Sequence, residues 1–153
     1  MPTVWRIVKR MHATTAFDGE GARRFGGRWN SPGRRAVYVS ATKALATLEI
    51  LVHLDVAQPI PRLTAFSFEV DEGLVQHVAA GQLPRHWRTL RGLPATQRFG
   101  DAWLRAGRSL ALAVPSVVVP EELTYVLNPE HPAFARLKFG APTPFRLDPR
   151  LVG

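Results

Sequence analysis

The sequence predicts an α+β fold: several short strands and two or three helices in uneven order, without the regular alternation of a doubly wound sheet. Three observations carry that expectation. Short apolar runs rich in β-branched and aromatic residues recur along the chain, closed by prolines and glycines. Between them lie two stretches with helical spacing, residues 42–54 and 95–106, each free of internal proline. The length of 153 residues suits one domain, residues 1–153, with a core of its own.

Taken in order, Val4 to Val8 alternates well enough for a first strand and carries Trp5 and Arg6. Thr14 to Arg35 is irregular and holds five glycines. Its GEGARRFGG superficially matches a dinucleotide-binding loop, but Arg24 stands where the third glycine is required, so a Rossmann site is rejected. A long glycine-rich loop in a compact domain points to function. After the turn signal Ser31-Pro32-Gly33 comes the strand Ala36 to Ser40, then the helix Thr42 to Leu54. Leu63 to Val70 is a strand, Asp71 to Gln82 is ambiguous, and Leu83 to Pro94 is a proline-bounded loop around Trp87. A helix follows over Ala95 to Ala106. Leu110 to Val114 and Val117 to Val119 read as two strands broken at Pro115-Ser116, and Leu123 to Leu127 as another. His131 to Lys138 is expected as a short helix and Pro144 to Leu147 as a last edge strand.

The stretch from Gly26 to Leu54 organises the rest. Its helix is apolar almost all round, which predicts burial on several sides. Thr42, Glu49 and His53 nevertheless share one strip. A carboxylate in such a helix is costly without partners, and Arg28, Tyr38 and Ser40 are the partners its sequence neighbourhood offers. Two readings follow: a core helix with one salt-bridged glutamate, or a polar pocket with Glu49 on its floor.

Composition narrows the function classes. Without cysteine there is neither a disulfide framework nor a thiolate metal site. The N-terminus lacks an apolar signal-like segment and no run reaches membrane-spanning length, so the expected location is the cytoplasm, with no membrane partner. The net charge of +8 is concentrated in residues 1–35, with eight Lys/Arg against two acids, and in residues 84–108, with six against one. Nearly all of it is arginine, whose planar fork suits phosphates and carboxylates. The five histidines are scattered, and no HExxH, GxSxG or Walker pattern occurs, so metal and serine-triad hydrolysis are not expected.

What remains is arginine, tyrosine, glutamate and serine at the ends of elements. Taken singly, Arg28 between Gly27 and Trp29, Tyr38 in its strand and Ser116 after Pro115 each have an ordinary structural explanation. In sequence order they resemble something specific. GARRFGGRWNSPGRRAVYVSATKALATLEILVH, Thr96-Gln97, GDAWL (Gly100 to Leu104), VPSVVVPEELTYVLNPEHP and the terminal FRLDPRL are similar to the signature of the RES-domain family, across nearly the whole chain. That resemblance implies a fold like the ADP-ribosyltransferase toxins. It also implies the toxin role of a toxin–antitoxin pair and consumption of NAD by phosphorolysis, hydrolysis or ADP-ribosyl transfer. It assigns the family's arginine to Arg28, its glutamate to Glu49 and its serine to Ser116, with Arg6 and Tyr38 on further pocket positions. Thr124 departs from the family pattern, which commonly has asparagine there. The implied partner is an Xre-type DNA-binding antitoxin that occludes the site, with no direct DNA binding by this chain.

The residue types suit that chemistry. Cleavage of the nicotinamide–ribose bond passes through an oxocarbenium-like state, as glycoside cleavage does. Glu49 would stabilise the developing charge or activate the acceptor, and Arg6 and Arg28 would hold the pyrophosphate. Tyr38 would offer its ring to nicotinamide and Ser116 its hydroxyl to the amide or ribose. Catalytic roles therefore fall to Glu49, Arg28 and Tyr38, and substrate contacts to Arg6, Arg28, Tyr38 and Ser116. NAD is substrate, and no metal or resident cofactor is expected. Two other classes stay open: a basic RNA-binding or RNA-cleaving toxin, and a non-catalytic module that docks an acidic protein.

Overall fold

The computed structural model describes residues 1–153. Its centre is one mixed seven-stranded sheet, which bears out the α+β expectation. The strands are β1 (Thr3–Lys9), β2 (Val37–Ser40), β3 (Leu63–Glu69), β4 (Val75–His77), β5 (Ala111–Pro115), β6 (Leu123–Leu127) and β7 (Thr143–Phe145), in the order β4-β5-β6-β2-β1-β3-β7. Only β4 and β5 run parallel; the other neighbours are antiparallel. Both edges are three-residue strands, and Pro144 sits in one of them, which limits edge-to-edge pairing.

The sheet is nearly two sheets. β1 and β3 pair over seven residues, from Thr3↔Glu69 to Lys9↔Leu63, and β5 and β6 over five. Between the halves, β1 and β2 share a single register pair, Trp5↔Ser40. Beyond it the strands part.

Both faces are covered. On one, Val4, Val37, Val39, Phe68, Ala111, Tyr125 and Leu127 form the largest cluster. Phe17 and Phe139 close its end, stacked at 3.9 Å, with Phe68 edge-on to both rings. The other face carries two helices, α2 (Lys43–Leu51) over the β1–β3 half and α3 (Leu93–Ala106) over the β5–β6 half. Alternation places Tyr38 and Ser40 on this second face, between the helices. No helix is long and apolar enough to cross a membrane.

Several elements differ from expectation for identifiable reasons. The helix expected over Thr42 to Leu54 is shorter. Thr42 caps it by accepting from Leu45 N at 3.0 Å, and its end tightens into i→i−3 bonds, His53 N to Ile50 O and Leu54 N to Leu51 O. It is not buried all round: Leu45, Ala46 and Thr47 are buried, whereas Val52 is 60% exposed and His53 is exposed beyond the last turn. The strip of Thr42, Glu49 and His53 does not form, because Thr42 is the extended cap before the helix and His53 lies beyond its end; the Thr42 hydroxyl donates to Glu122 Oε1 at 2.8 Å. Val117 to Val119 is not a strand. Its amides are taken by the Ser116 hydroxyl, which accepts from Val118 N at 3.0 Å and Val119 N at 3.1 Å. The glycine-rich segment contains a short helix, α1 (Glu20–Phe25), and the short helix expected over His131 to Lys138 is a 3-10 helix, Pro132–Arg136.

Helix α3 lies so close to the preceding loop that a Cβ on Gly100 would stand 1.7 Å from the Trp29 carbonyl oxygen. Gly100→Ala therefore forces α3 off the Trp29 segment. Denaturant unfolding should show a loss of about 2–4 kcal/mol.

Candidate active site

The turn Gly27–Ser31 is fixed from two sides. From β2, the Tyr38 hydroxyl donates to Asn30 Oδ1 at 2.6 Å and accepts from Trp29 N at 3.0 Å. From α3, Gln97 Nε2 donates to Gly27 O at 3.1 Å, and Asp101 accepts from the amide and hydroxyl of Ser31. Gln97, Gly100 and Asp101 share one face of α3, so a single helix stripe grips the turn. Gly27 is required there: a Cβ would sit 2.6 Å from the Tyr38 hydroxyl. Asn30 is fully buried, and its amide donates to Ala22 O at 2.8 Å and Arg34 O at 3.0 Å. This web holds Arg28 at the tip, and Arg28 Nη1 donates to Thr89 O at 2.7 Å.

Glu49 projects from the last turn of α2 and is half-buried. Its Oε1 accepts from the Ser116 hydroxyl at 3.1 Å, while Oε2 has no protein partner and stays open to solvent. Ser116 is buried, and its hydroxyl is saturated: one donor to Glu49 and two lone pairs on the Val118 and Val119 amides. Its geometry suits holding the glutamate rather than reaching a ligand.

The loop over residues 85–90 connects the two clusters. Arg88 Nε donates to Val117 O at 2.8 Å and Nη2 to Val118 O at 3.5 Å, next to Ser116, while the adjacent Thr89 carbonyl receives Arg28. A continuous path thus runs from Glu49 through Ser116, the Val117–Val118 turn, Arg88 and Thr89 to Arg28. These contacts link Glu49, Ser116 and Arg28 in one chain, the rim of the candidate site, with Tyr38 under the Arg28 turn.

Arg6 lies to the side. Alternation places its side chain with Val4 and Val8, on the face opposite Tyr38. Its guanidinium sits where β1 and β2 part: Nε donates to Ala16 O at 2.7 Å and Nη1 to Tyr38 O at 2.9 Å. Its remaining nitrogen, Nη2, has no protein partner and reaches solvent. Burial pulls its pKa down to about 10, opposed by Asp18, so it stays a cation at neutral pH. Burial also drives the Tyr38 phenol well above its ordinary range, with a smaller opposing effect from the Trp29 amide. A phenol so placed stays protonated at neutral pH.

Sequence reasoning did not single out Arg88, Thr89, Asn30 or Asp101. Asn30 and Asp101 lay inside the quoted motifs, so their position was visible although their role was not. Arg88 and Thr89 act through backbone carbonyls, which leave no residue-type signature. Thr124 pairs with Ser40 and by alternation shares its face, so the one departure from the family pattern lies on the site's side of the sheet.

Fold and site together define an α+β domain whose split sheet presents one carboxylate and a set of arginines on the α2–α3 side. The chain belongs to the RES domain family, which it matches over residues 3–148. It is 35% identical over 149 residues to a protein named Toxin Res from Yersinia enterocolitica, covering 97% of this chain and 98% of that one. A protein named Prs ADP-ribosylating toxin, from Sphingobium sp., is 35% identical over 153 residues, covering 97% and 95%. A Toxin Res from Photorhabdus laumondii is 32% identical over 156 residues, covering 97% and 96%.

The web makes a separable prediction for Tyr38. Tyr38→Phe leaves the Trp29 amide and the buried Asn30 carbonyl without their partner, so unfolding should become easier by about 1–3 kcal/mol. Hydrogen exchange at Trp29 and Asn30 should speed up, while the amides of Val118 and Val119 stay protected. Unchanged stability and unchanged exchange would show that the hydroxyl is not what fixes the turn.

Proposed function

We propose that this chain is a toxin that consumes NAD, breaking the nicotinamide–ribose bond and passing ADP-ribose to a nucleophile. The observation that carries this reading is the state of Glu49: one carboxylate oxygen clamped by Ser116, the other open, on a rim tied to Arg28. The family membership and a relative named as an ADP-ribosylating toxin support it.

In this reading the C1′–N1 bond breaks with its electron pair leaving on nicotinamide. The free oxygen of Glu49 stabilises the cationic sugar and binds its hydroxyls. The incoming nucleophile forms the new bond at C1′ and gives up its proton, for which Glu49 is the nearest base on this rim. The pyrophosphate lies against Arg28, and a dinucleotide that enters the gap between β1 and β2 meets the free Nη2 of Arg6 there. Ser116 orients Glu49, and Tyr38 acts as the floor beneath the Arg28 turn instead of exchanging protons. NAD is the substrate, and the residues ask for no metal.

A cell holding such an enzyme needs an inhibitor. A DNA-binding antitoxin that seats an acidic segment against Arg28, and so covers Glu49, would exclude NAD directly. The test of occlusion is NAD binding to the Glu49→Gln protein, alone and saturated with antitoxin. Binding of equal strength in both would exclude occlusion.

Glu49→Gln keeps the side chain's shape and should lower NAD turnover by about a thousandfold or more while the melting temperature holds. Near-normal turnover would remove Glu49 from the reaction. Arg28→Lys should weaken NAD binding nearly as much as Arg28→Ala, because an ammonium cannot span the Thr89 carbonyl and a phosphate as the planar fork does. If the protein instead binds RNA, with affinity falling steeply as salt rises and no NAD loss, the reading is wrong.

A further inference from the structure

Away from the rim, two clefts adjoin across Pro61. The first, of about 350 Å³, is apolar: Leu51, Val52 and Leu54 at the end of α2, Val56 and Ile60 in the following loop, and Leu151 from the C-terminal turn. The second, of about 400 Å³, is basic, with Lys9, Arg10 and Arg62 around Met11. Nine large apolar side chains are strongly exposed on the molecule, and five of them, Met11, Val52, Val56, Ile60 and Leu151, line these two clefts. Soluble proteins seldom leave such residues contiguous without a partner.

The charges are equally unspent. The ion pairs of the molecule are Glu20–Arg23, Glu72–His77 and Asp148–Arg150, so Lys9, Arg10 and Arg62 each lack a carboxylate partner. The one acid lining either cleft, Asp55, accepts from the Ala57 amide at 2.9 Å and so serves its own turn.

We infer that this double cleft is the docking site for an amphipathic, acidic segment of another protein. Its apolar side chains would enter the Val52–Val56–Ile60–Leu151 groove, and its carboxylates would meet Lys9, Arg10 and Arg62. A second copy of this chain fits poorly, because a twofold contact would set basic cleft near basic cleft in a protein of net charge +8. A lipid surface fits poorly too, since the apolar residues form a concavity and neither lining contains tryptophan or tyrosine. The surface is independent of the NAD reading, as none of its lining residues belongs to the rim.

The test uses the full chain carrying Glu49→Gln, with the photoreactive residue benzoylphenylalanine in place of Val56, which is 87% exposed. Irradiation in the source cells, followed by mass spectrometry, identifies what lies in the groove. The purified partner is then titrated against the chain with and without Arg10→Glu/Arg62→Glu, and against Val56→Asp. The expected result is a cross-linked protein segment with spaced apolar residues and flanking Asp/Glu. Each variant should weaken its binding by about tenfold or more, with the melting temperature unchanged. A cross-link only to the chain itself with a doubled mass in solution, binding to phosphatidylserine vesicles without a protein cross-link, no cross-link at all, or a partner that binds the charge-reversed chain equally well would each overturn the proposal.

Discussion

The junction between β1 and β2 is the constraint on which the site depends. Two antiparallel strands that share only Trp5↔Ser40 leave backbone groups beyond that pair without a ladder. Arg6 fills the place of the missing ladder: its side chain donates to the Tyr38 carbonyl across the gap and to Ala16 from the loop that follows β1. One long cation therefore keeps the sheet joined while letting its halves diverge. On the other face α2 packs over the β1–β3 half and α3 over the β5–β6 half, and Glu49 and the Arg28 turn belong to these two helices' separate surroundings. An aliphatic residue at position 6 would leave the Tyr38 and Ala16 carbonyls to water or to a closer approach of the strands, and either outcome changes how far the two halves of the sheet diverge.

How far the sequence disclosed this architecture follows from the range of the interactions concerned. Strands with strong local patterns, such as Leu63–Glu69 and Leu123–Leu127, appear where alternation and flanking prolines place them. The end of α2 was not legible, because its apolar run continues through Leu54 while the hydrogen bonding tightens after Leu51. The Val117–Val119 run has every mark of a strand. It is instead a turn because one buried hydroxyl, Ser116, competes for its amides and wins. At the site, residue types were visible and pairings were not. Glu49 was expected near Arg28, Tyr38 or Ser40, and its hydrogen-bond partner proved to be Ser116, distant in sequence and adjacent only once β5 has paired with β6. The Arg88 contacts were beyond reach altogether, since any residue can present a carbonyl.

The placement of Ser116 changes what a serine in such a motif must be asked to do. A hydroxyl has one proton and two lone pairs, and here all three are used within the protein. Its cost of burial is met by those bonds, and the return is a glutamate whose orientation is set from β5 as well as from its own helix. Two elements from opposite halves of the sheet thus fix one carboxylate. That is the rigidity an oxocarbenium-stabilising group requires, because a charge that has to reorganise as the bond breaks loses much of its effect.

The arginines around the site share one further property. Arg6 is anchored by Ala16 O and Tyr38 O, Arg28 by Thr89 O, and Arg88 by Val117 O and Val118 O. A carboxylate partner would have fixed these side chains equally well, but it would have cancelled their charge. A carbonyl fixes position and leaves the charge in place. The ion pairs of this molecule are all elsewhere, within α1, in the loop before and along β4, and at the C-terminal turn. The result is a set of cations held in place without an ion-pair partner, Arg6 alone feeling a nearby acid, Asp18. A dianionic pyrophosphate would meet them without first displacing an internal acid. The same property would attract any carboxylate-bearing segment, so in the proposed function an acidic inhibitor and a phosphate-bearing substrate would draw on one feature of the fold.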